Sequence, residues 1–278
     1  LSPRPNGCVS PSWCTCRSAT RPGSRPPWPP NWTRRNGRRC GRCPPSSPPA
    51  TGPSAVLVAH HGLAPERVHV AAPGADIAPL ASGTDGVSRL LCVAAVTPRK
   101  GQHRLIEALA TVTDLPWSCV CVGGLTQDPA YVAQLRALIG KYGLGDRLHL
   151  AGPQAGAELD ASYAAADLMV LTSYAETYGM AVTEALARGI PVLATDVGGL
   201  PEAVGRAPDG GVPGILVPPE NPAALAAELR GWFGEADVRR RLKAAARSRR
   251  AALDGWATTA RSLAGVLGRL PQQPRRAA

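Results

Sequence analysis

From residue 90 onward the chain alternates short continuous apolar runs with longer stretches in which apolar residues recur every three or four positions. The short runs lie at 90–96, 117–122, 147–151, 168–172, 191–194 and 214–217. Their length and largely apolar character fit strands buried on both faces. Between them, 102–112 carries Leu105, Ile106 and Leu109 on one face, and 130–142, 158–166 and the stretch from Met180 to near Gly189 are also helical in period. Strands alternating with helices predict a parallel sheet covered on both faces. From Pro222 the pattern is helical almost to residue 270, and upstream SAVLVAHHGL predicts a short apolar helix, with a strand at 68–72 ending in a Pro-Gly turn. No run is long enough to cross a bilayer as a helix.

The segment between the fourth strand and the helix at Met180 carries most of the chemistry. It reads ETYGMAVTE from Glu176 to Glu184 and continues ALARGIPVLATDVGGLPE. Tyr178 and Gly179 form a turn before the helix, so Gly179 sits where unpaired backbone N–H groups and the positive helix end can face a phosphate. Glu184 lies in the early turns of that helix and Glu176 on the loop before it, and both can point toward one ligand as acceptors for sugar hydroxyls. Spacing alone fits equally a solvated helix residue and a charge at a helix start.

Thr97-Pro98-Arg99-Lys100-Gly101 follows the first strand of the sheet, at the edge where open α/β sheets bind ligands. A Lys there meets a diphosphate as a compact charge, and an Arg through its fork. Gly123-Gly124 and Gly152-Pro153-Gln154 follow the second and third strands at the same edge, open to backbone approach by a nucleotide or serving as simple turns. His60, His61, His69, His103 and His149 form no ligand spacing, and no Asp-x-Asp, Gly-x-Gly-x-x-Gly or Walker-type loop occurs. Neither a metal-held diphosphate nor a nicotinamide or ATP site is therefore implied.

Glu176 to Glu184, together with Ile190-Pro191-Val192 and Gly198-Gly199-Leu200-Pro201-Glu202, resembles the Glu-x7-Glu region of retaining glycosyltransferases of family 4. The resemblance covers about residues 54–268 and is strongest over 90–219. It implies an α/β, Rossmann-like parallel sheet with helices on both faces, the C-terminal, donor-binding domain of a GT-B fold. It also implies transfer of a sugar from a nucleotide-diphosphate sugar with retention of configuration, without a cofactor or metal. On that resemblance Glu176 contacts the donor sugar, Glu184 the ribose and Lys100 the diphosphate, with Arg99, Gly179, Met180, Ala181, Gly123 and Pro153 completing the donor site. Family 4 enzymes commonly place an Arg five residues before the Lys, where this chain has Ala95. Gly74-Ala75-Asp76 resembles the passage between the two domains. The acceptor, a glycan, lipid or small molecule, belongs to the first domain, and nothing before residue 53 is recognisable as that domain. The chain is accordingly expected to be incomplete, and the alternative is a nucleotide-sugar-binding module without turnover.

Composition changes the picture at one end. Residues 1–50 hold nine Arg, no Lys and no acid, which leaves only +2 of the net +11 for the rest of the chain. Leu1 and Val9 are their only large aliphatic residues among many prolines, too few to offset chain entropy, so 1–52 is expected to be disordered. Its Arg, Pro, Gly, Ser, Ala, Cys and Trp also match a GC-rich coding strand read out of frame. Clustered Arg can neutralise nucleic-acid phosphates, but nothing aromatic is interleaved at a regular spacing, and no nucleic-acid partner is expected.

Cys8, Cys14, Cys16, Cys40 and Cys43 lie in this opening without nearby His, a poor zinc site. Cys92, Cys119 and Cys121 read as buried small hydrophobes. With no apolar signal segment the compartment reads as cytoplasmic. Arg239, Arg240, Arg241, Lys243, Arg247, Arg249 and Arg250 form a basic helix face, solvated in the ordinary case and otherwise suited to peripheral contact with the anionic inner face of a membrane. The expected organisation is a remnant of the first domain with the passage at 53–85, a nucleotide-sugar domain at 86–251, a last helix at 252–270 and a disordered tail at 271–278.

Overall fold

The computed structural model describes residues 53–269. The expectations for 1–52 and for the 271–278 tail, including the five cysteines of the opening, fall outside the described residues.

Six strands form the sheet: β1 (Arg89–Val93), β2 (Ser118–Val122), β3 (Leu148–Gly152), β4 (Leu168–Leu171), β5 (Val192–Thr195) and β6 (Gly214–Val217). All pair in parallel, in the order β3-β2-β1-β4-β5-β6. Every residue of β4 and β5 is buried, as continuous apolar strands between two helical layers must be. The order reverses between β1 and β4, so the crossovers within β1–β3 and those within β4–β6 lie on opposite faces. On one, α2 (Gln102–Ala110) packs against α3 (Pro129–Lys141) and α7 (Pro222–Gly234); on the other, α5 (Met180–Ala187) packs against α6 (Leu200–Val204) and α8 (Ala236–Arg250). The remaining helices are α1 (Pro53–His61), α4 (Gly156–Ala164) and α9 (Trp256–Leu267). Among the described residues no helix is long and apolar enough to cross a membrane.

Local chemistry explains the helix starts. Asp128 accepts a hydrogen bond from the Tyr131 N–H at 2.9 Å, and Asn221 from the Ala224 N–H at 2.9 Å, each followed by Pro. Such caps satisfy first-turn donors, and Pro at the next position loses no needed N–H. Cys92, Cys119 and Cys121 are free and buried, and Cys92 stands opposite Cys121 in the register of β1 on β2. Hydrogen bonding among the thiols, with Cys121 for Cys92 and with Cys119 for Cys121, and then burial push Cys92 and Cys121 well above the usual range.

Two expectations are corrected. No strand forms at 68–72. Val-His-Val alternates as a strand does, yet the segment reaches neither sheet edge, and Val70 and Ile77 stay exposed. The passage is instead pinned by single bonds: Thr259 Oγ1 donates to Ala72 O at 2.7 Å, Ala75 N to Asp254 O at 2.9 Å, and Ala81 N to Arg188 O at 2.9 Å. At Gly74 a Cβ would lie 2.2 Å from the Trp256 nitrogen, so the chains cross too closely for a side chain.

The second correction concerns the basic face of α8. Four of its seven cations turn inward onto carbonyl groups. Arg239 bonds Trp232 O and Phe233 O, Lys243 bonds Gly86 O, Arg249 bonds Ala252 O, and Arg250 bonds both Ala187 O and Ala78 O. Arg240 pairs with Asp237. The charges hold helix ends and the passage rather than forming one solvated stripe.

Candidate functional site

The site lies at the carboxyl edge, where the strand order reverses between β1 and β4. After β1 the chain runs on through Ala94 and Val96, whose N–H groups bond Val122 O and Gly124 O. A 3-10 turn over Pro98–Lys100 follows and closes on Gly101. Gly101 has φ 66°, and a Cβ there would sit 2.2 Å from Thr172 O. Only glycine combines the left-handed backbone with that approach, which brings the β1 loop against the end of β4.

Five further contacts join the two loops. Thr172 Oγ1 donates to Gly101 O at 2.9 Å and Lys100 O at 3.2 Å, Tyr174 N to Arg99 O at 2.8 Å, and Arg99 Nη1 to Ala175 O at 2.7 Å. The fifth is the ion pair of Lys100 Nζ with Glu176 Oε2, its side chains only 14% and 11% exposed. Arg99, expected beside a diphosphate, thus spends part of its fork on the loop carrying Glu176. Behind Glu176, Gly199 N donates to its carbonyl at 3.0 Å, while a Cβ on Gly198 would lie 1.8 Å from the same oxygen.

Gly179 caps α5 with φ 98° and no side-chain bond. The N–H groups of the first turn, at Met180 and Ala181, lack intrahelical acceptors as in any helix, and Met180 is exposed. One turn deeper, Glu184 Oε2 accepts the Tyr163 hydroxyl at 2.7 Å. Tyr163 is fully buried, and burial followed by the Glu184 carboxylate raises its phenol far above the usual range. Arg188 stacks over the Tyr163 ring at 4.5 Å and pairs with Asp160 at 2.5 Å, so α4 and α5 are locked around Glu184.

Gly123 follows β2 and donates its N–H to Gly152 O at 2.9 Å, and a Cβ there would lie 2.0 Å from Ala94 O. That crowding explains the glycine by packing between loops. Pro153 is exposed on the loop after β3. Ala95 offers no side-chain donor; its carbonyl accepts Gln102 Nε2 at 3.0 Å. Gln102 Oε1 and Ser173 Oγ are buried at this edge without protein partners. Glu176, Lys100, Arg99 and the start of α5 therefore come together, Glu184 stands behind them, and Gly123 and Pro153 line the neighbouring strand ends.

Sequence spacing gave no sign of Tyr163, nor of a second group. The His103 ring sits between two phenols, with Nδ1 at 2.7 Å from the Tyr131 hydroxyl and Nε2 at 2.9 Å from that of Tyr174. Arg104 Nε donates to the same Tyr174 oxygen at 3.0 Å. These partners lie up to 71 residues apart, beyond any local period. Concavities elsewhere, one bounded by Asp167, Lys243 and Arg247 and one by Arg136, Leu148 and His149, include no residue of the carboxyl-edge loops. Among the described residues no group of His, Cys, Asp and Glu is arranged to hold a metal.

A doubly wound parallel sheet in this strand order, with Lys100 and Glu176 meeting at its switch point, defines a Rossmann-like domain. Residues 83–249 match the family described as Glycosyl transferases group 1, and the chain belongs to that family. It is 32% identical over 225 residues to the D-inositol 3-phosphate glycosyltransferase of Jonesia denitrificans, covering 74% of this chain and 52% of that protein. The chain thus spans about half the length of the curated relatives it matches. Sucrose-phosphate synthase from Thermosynechococcus elongatus superposes with TM-score 0.65 at 26% identity, over 78% of this chain and 56% of that one. Anabaena HepE, solved with UDP and glucose and with UDP-glucose, superposes with TM-score 0.58 at 28% identity, over 66% of this chain and 49% of that one.

Proposed function

We propose that the chain is the donor-binding half of a retaining glycosyltransferase of family 4, which transfers a sugar from a nucleotide-diphosphate sugar. The observation that carries this reading is the Lys100–Glu176 ion pair across the switch point. A diphosphate entering between the β1 loop and the start of α5 meets the Lys100 ammonium and the first-turn N–H groups of Met180 and Ala181. The positive end of α5 adds to that field. Lys100 is drawn from Glu176 toward the phosphates, and the freed Glu176 oxygen accepts a sugar hydroxyl. Glu184, with Oε2 occupied by Tyr163, keeps Oε1 for a ribose hydroxyl. Charge that develops on the departing diphosphate is stabilised by groups already in place, the preorganised kind of stabilisation.

No side chain is assigned as nucleophile; the acceptor hydroxyl attacks from the face of the leaving group. The relatives named D-inositol 3-phosphate glycosyltransferase make a phosphorylated polyol the acceptor class to try first. Titration of the full chain with UDP-glucose tests the reading: binding is expected to persist in EDTA and to be lost in Glu184→Ala. Binding to both chains alike, or to neither, rejects it. Retention is read from the anomeric proton of the product of a transfer assay.

A further inference from the structure

We propose that Tyr163 is a positioning residue that holds Glu184 with one oxygen open to the ribose, and that it thereby sets the site's preference for a ribonucleotide over a deoxyribonucleotide. This rests on the donor-site reading above. Tyr163 is carried by α4 with its side chain fully buried, and its hydroxyl donates to Glu184 Oε2 at 2.7 Å. A phenol has one hydrogen to give, so this bond decides which carboxylate oxygen is taken. The hydrogen stays on the phenol, because burial and then the Glu184 charge hold its pKa far above the usual range.

The other oxygen has an obvious competitor in Arg188. A Glu and an Arg four positions apart on a helix, with the Glu first, stand in the favourable order for an ion pair. Arg188 makes no such pair. It gives Nη1 to the Glu184 carbonyl at 3.1 Å and Nη2 to Asp160, and its guanidinium lies over the Tyr163 ring, 4.5 Å from the centroid. Asp160 is 64% exposed, so water screens its hold on Arg188. The Tyr163 ring and the Glu184 carbonyl carry the rest. One buried side chain thus bonds the first carboxylate oxygen through its hydroxyl and keeps the nearest cation off the second with its ring face.

A carboxylate oxygen has lone pairs for more than one donor, enough for one or both of the vicinal hydroxyls of a ribose. With the carboxylate already held, binding does not have to order a free Glu side chain. An acceptor fixed in this way strengthens binding only when a hydroxyl meets it. A nucleotide lacking that hydroxyl leaves a charged oxygen unpaired, which is how a polar site rejects the analogue.

The test is binding of UDP, 2′-deoxy-UDP and 3′-deoxy-UDP by the full chain, in wild type and in Tyr163→Phe, which keeps the buried ring beneath Arg188. Wild type is expected to prefer UDP to one or both analogues by about tenfold or more, the size of a hydrogen bond to a charged group. In Tyr163→Phe that preference is expected to shrink roughly three- to tenfold through weaker UDP binding, with affinity for the disfavoured analogue held within about twofold. An equal loss for all three nucleotides, the mark of a merely structural Tyr163, overturns the proposal, as does a wild type that binds all three alike. A wild type that binds no UDP rejects the donor-site reading itself and this proposal with it. A urea-unfolding cycle of Tyr163→Phe, Glu184→Ala and the double variant needs no ligand. The hydroxyl–carboxylate bond is expected to make the losses non-additive by roughly three- to tenfold in the unfolding constant, and additivity within about twofold overturns the proposal whichever nucleotide binds.

Discussion

Glu176→Gln keeps the shape of the side chain and removes its charge, leaving Lys100 without its partner. The two side chains are 14% and 11% exposed, so the pair is neither a solvated surface contact nor a fully buried one. Exposed pairs contribute about 0.2–1 kcal/mol, and removing one member of a buried pair costs about 3–5 kcal/mol. A pair this little exposed belongs between these limits, at about 2 kcal/mol. For a domain of this size that lowers Tm by about 4–8 °C in a calorimetric or circular-dichroism melt. Lys100→Met is expected to cost a similar amount. The double variant strands no charge and is expected to be more stable than the sum of single losses predicts by about 1–2 kcal/mol. Additivity within about 0.5 kcal/mol would refute the coupling. The same variants separate the two ligand roles. Glu176→Gln frees the Lys100 ammonium, so UDP affinity is expected to hold or rise while UDP-glucose falls about tenfold relative to UDP. An equal loss for both ligands would refute the division between a diphosphate-binding Lys and a sugar-binding Glu.

Gly198→Ala places a Cβ 1.8 Å from Glu176 O at φ 52°; it is expected to cost well over the roughly 1–2 kcal/mol of left-handed strain alone and to abolish donor binding. Gly210→Ala, at φ 83° with open space around it, is the control that shows only the strain in urea unfolding. Arg250→Ala releases the carbonyls of Ala78 and Ala187; a loss of about 1–3 kcal/mol is expected, with faster thermolysin cleavage near Ile77 and Leu80, and unchanged cleavage would deny the tether. Cys92, Cys119 and Cys121 are expected to stay unmodified by a thiol reagent in the native chain and to react on unfolding, as peptide mapping by mass spectrometry would show.

The strands of the sheet were legible because their determinants are local. A continuous apolar run has nowhere to go but between two layers. The segment 68–72 shows the limit: alternation marks a residue order that can pair, while pairing itself needs a sheet edge within reach. The basic face of α8 failed for a related reason. A helical period sorts Arg239, Lys243, Arg249 and Arg250 onto the helix surface, but the carbonyls they bond include Gly86 O and Ala78 O, 157 and 172 residues away.

The site divides along the same line. Lys100 and Glu176 announce themselves because each stands in a β–α loop with its own glycine signature, Gly101 closing one turn and Gly198 backing the other. Tyr163 and His103 have no such signature, since what they touch is decided by strand order. The reversal between β1 and β4 sets the β1 loop beside the β4 loop, and only then do residues as distant as His103 and Tyr174 become neighbours. Motifs therefore mark the groups proposed to meet the donor, while the side chains packed behind them follow from topology. For that reason a variant of His103 or Tyr163 that spares the fold but alters donor affinity would say more about how this site is held than another substitution at Glu176.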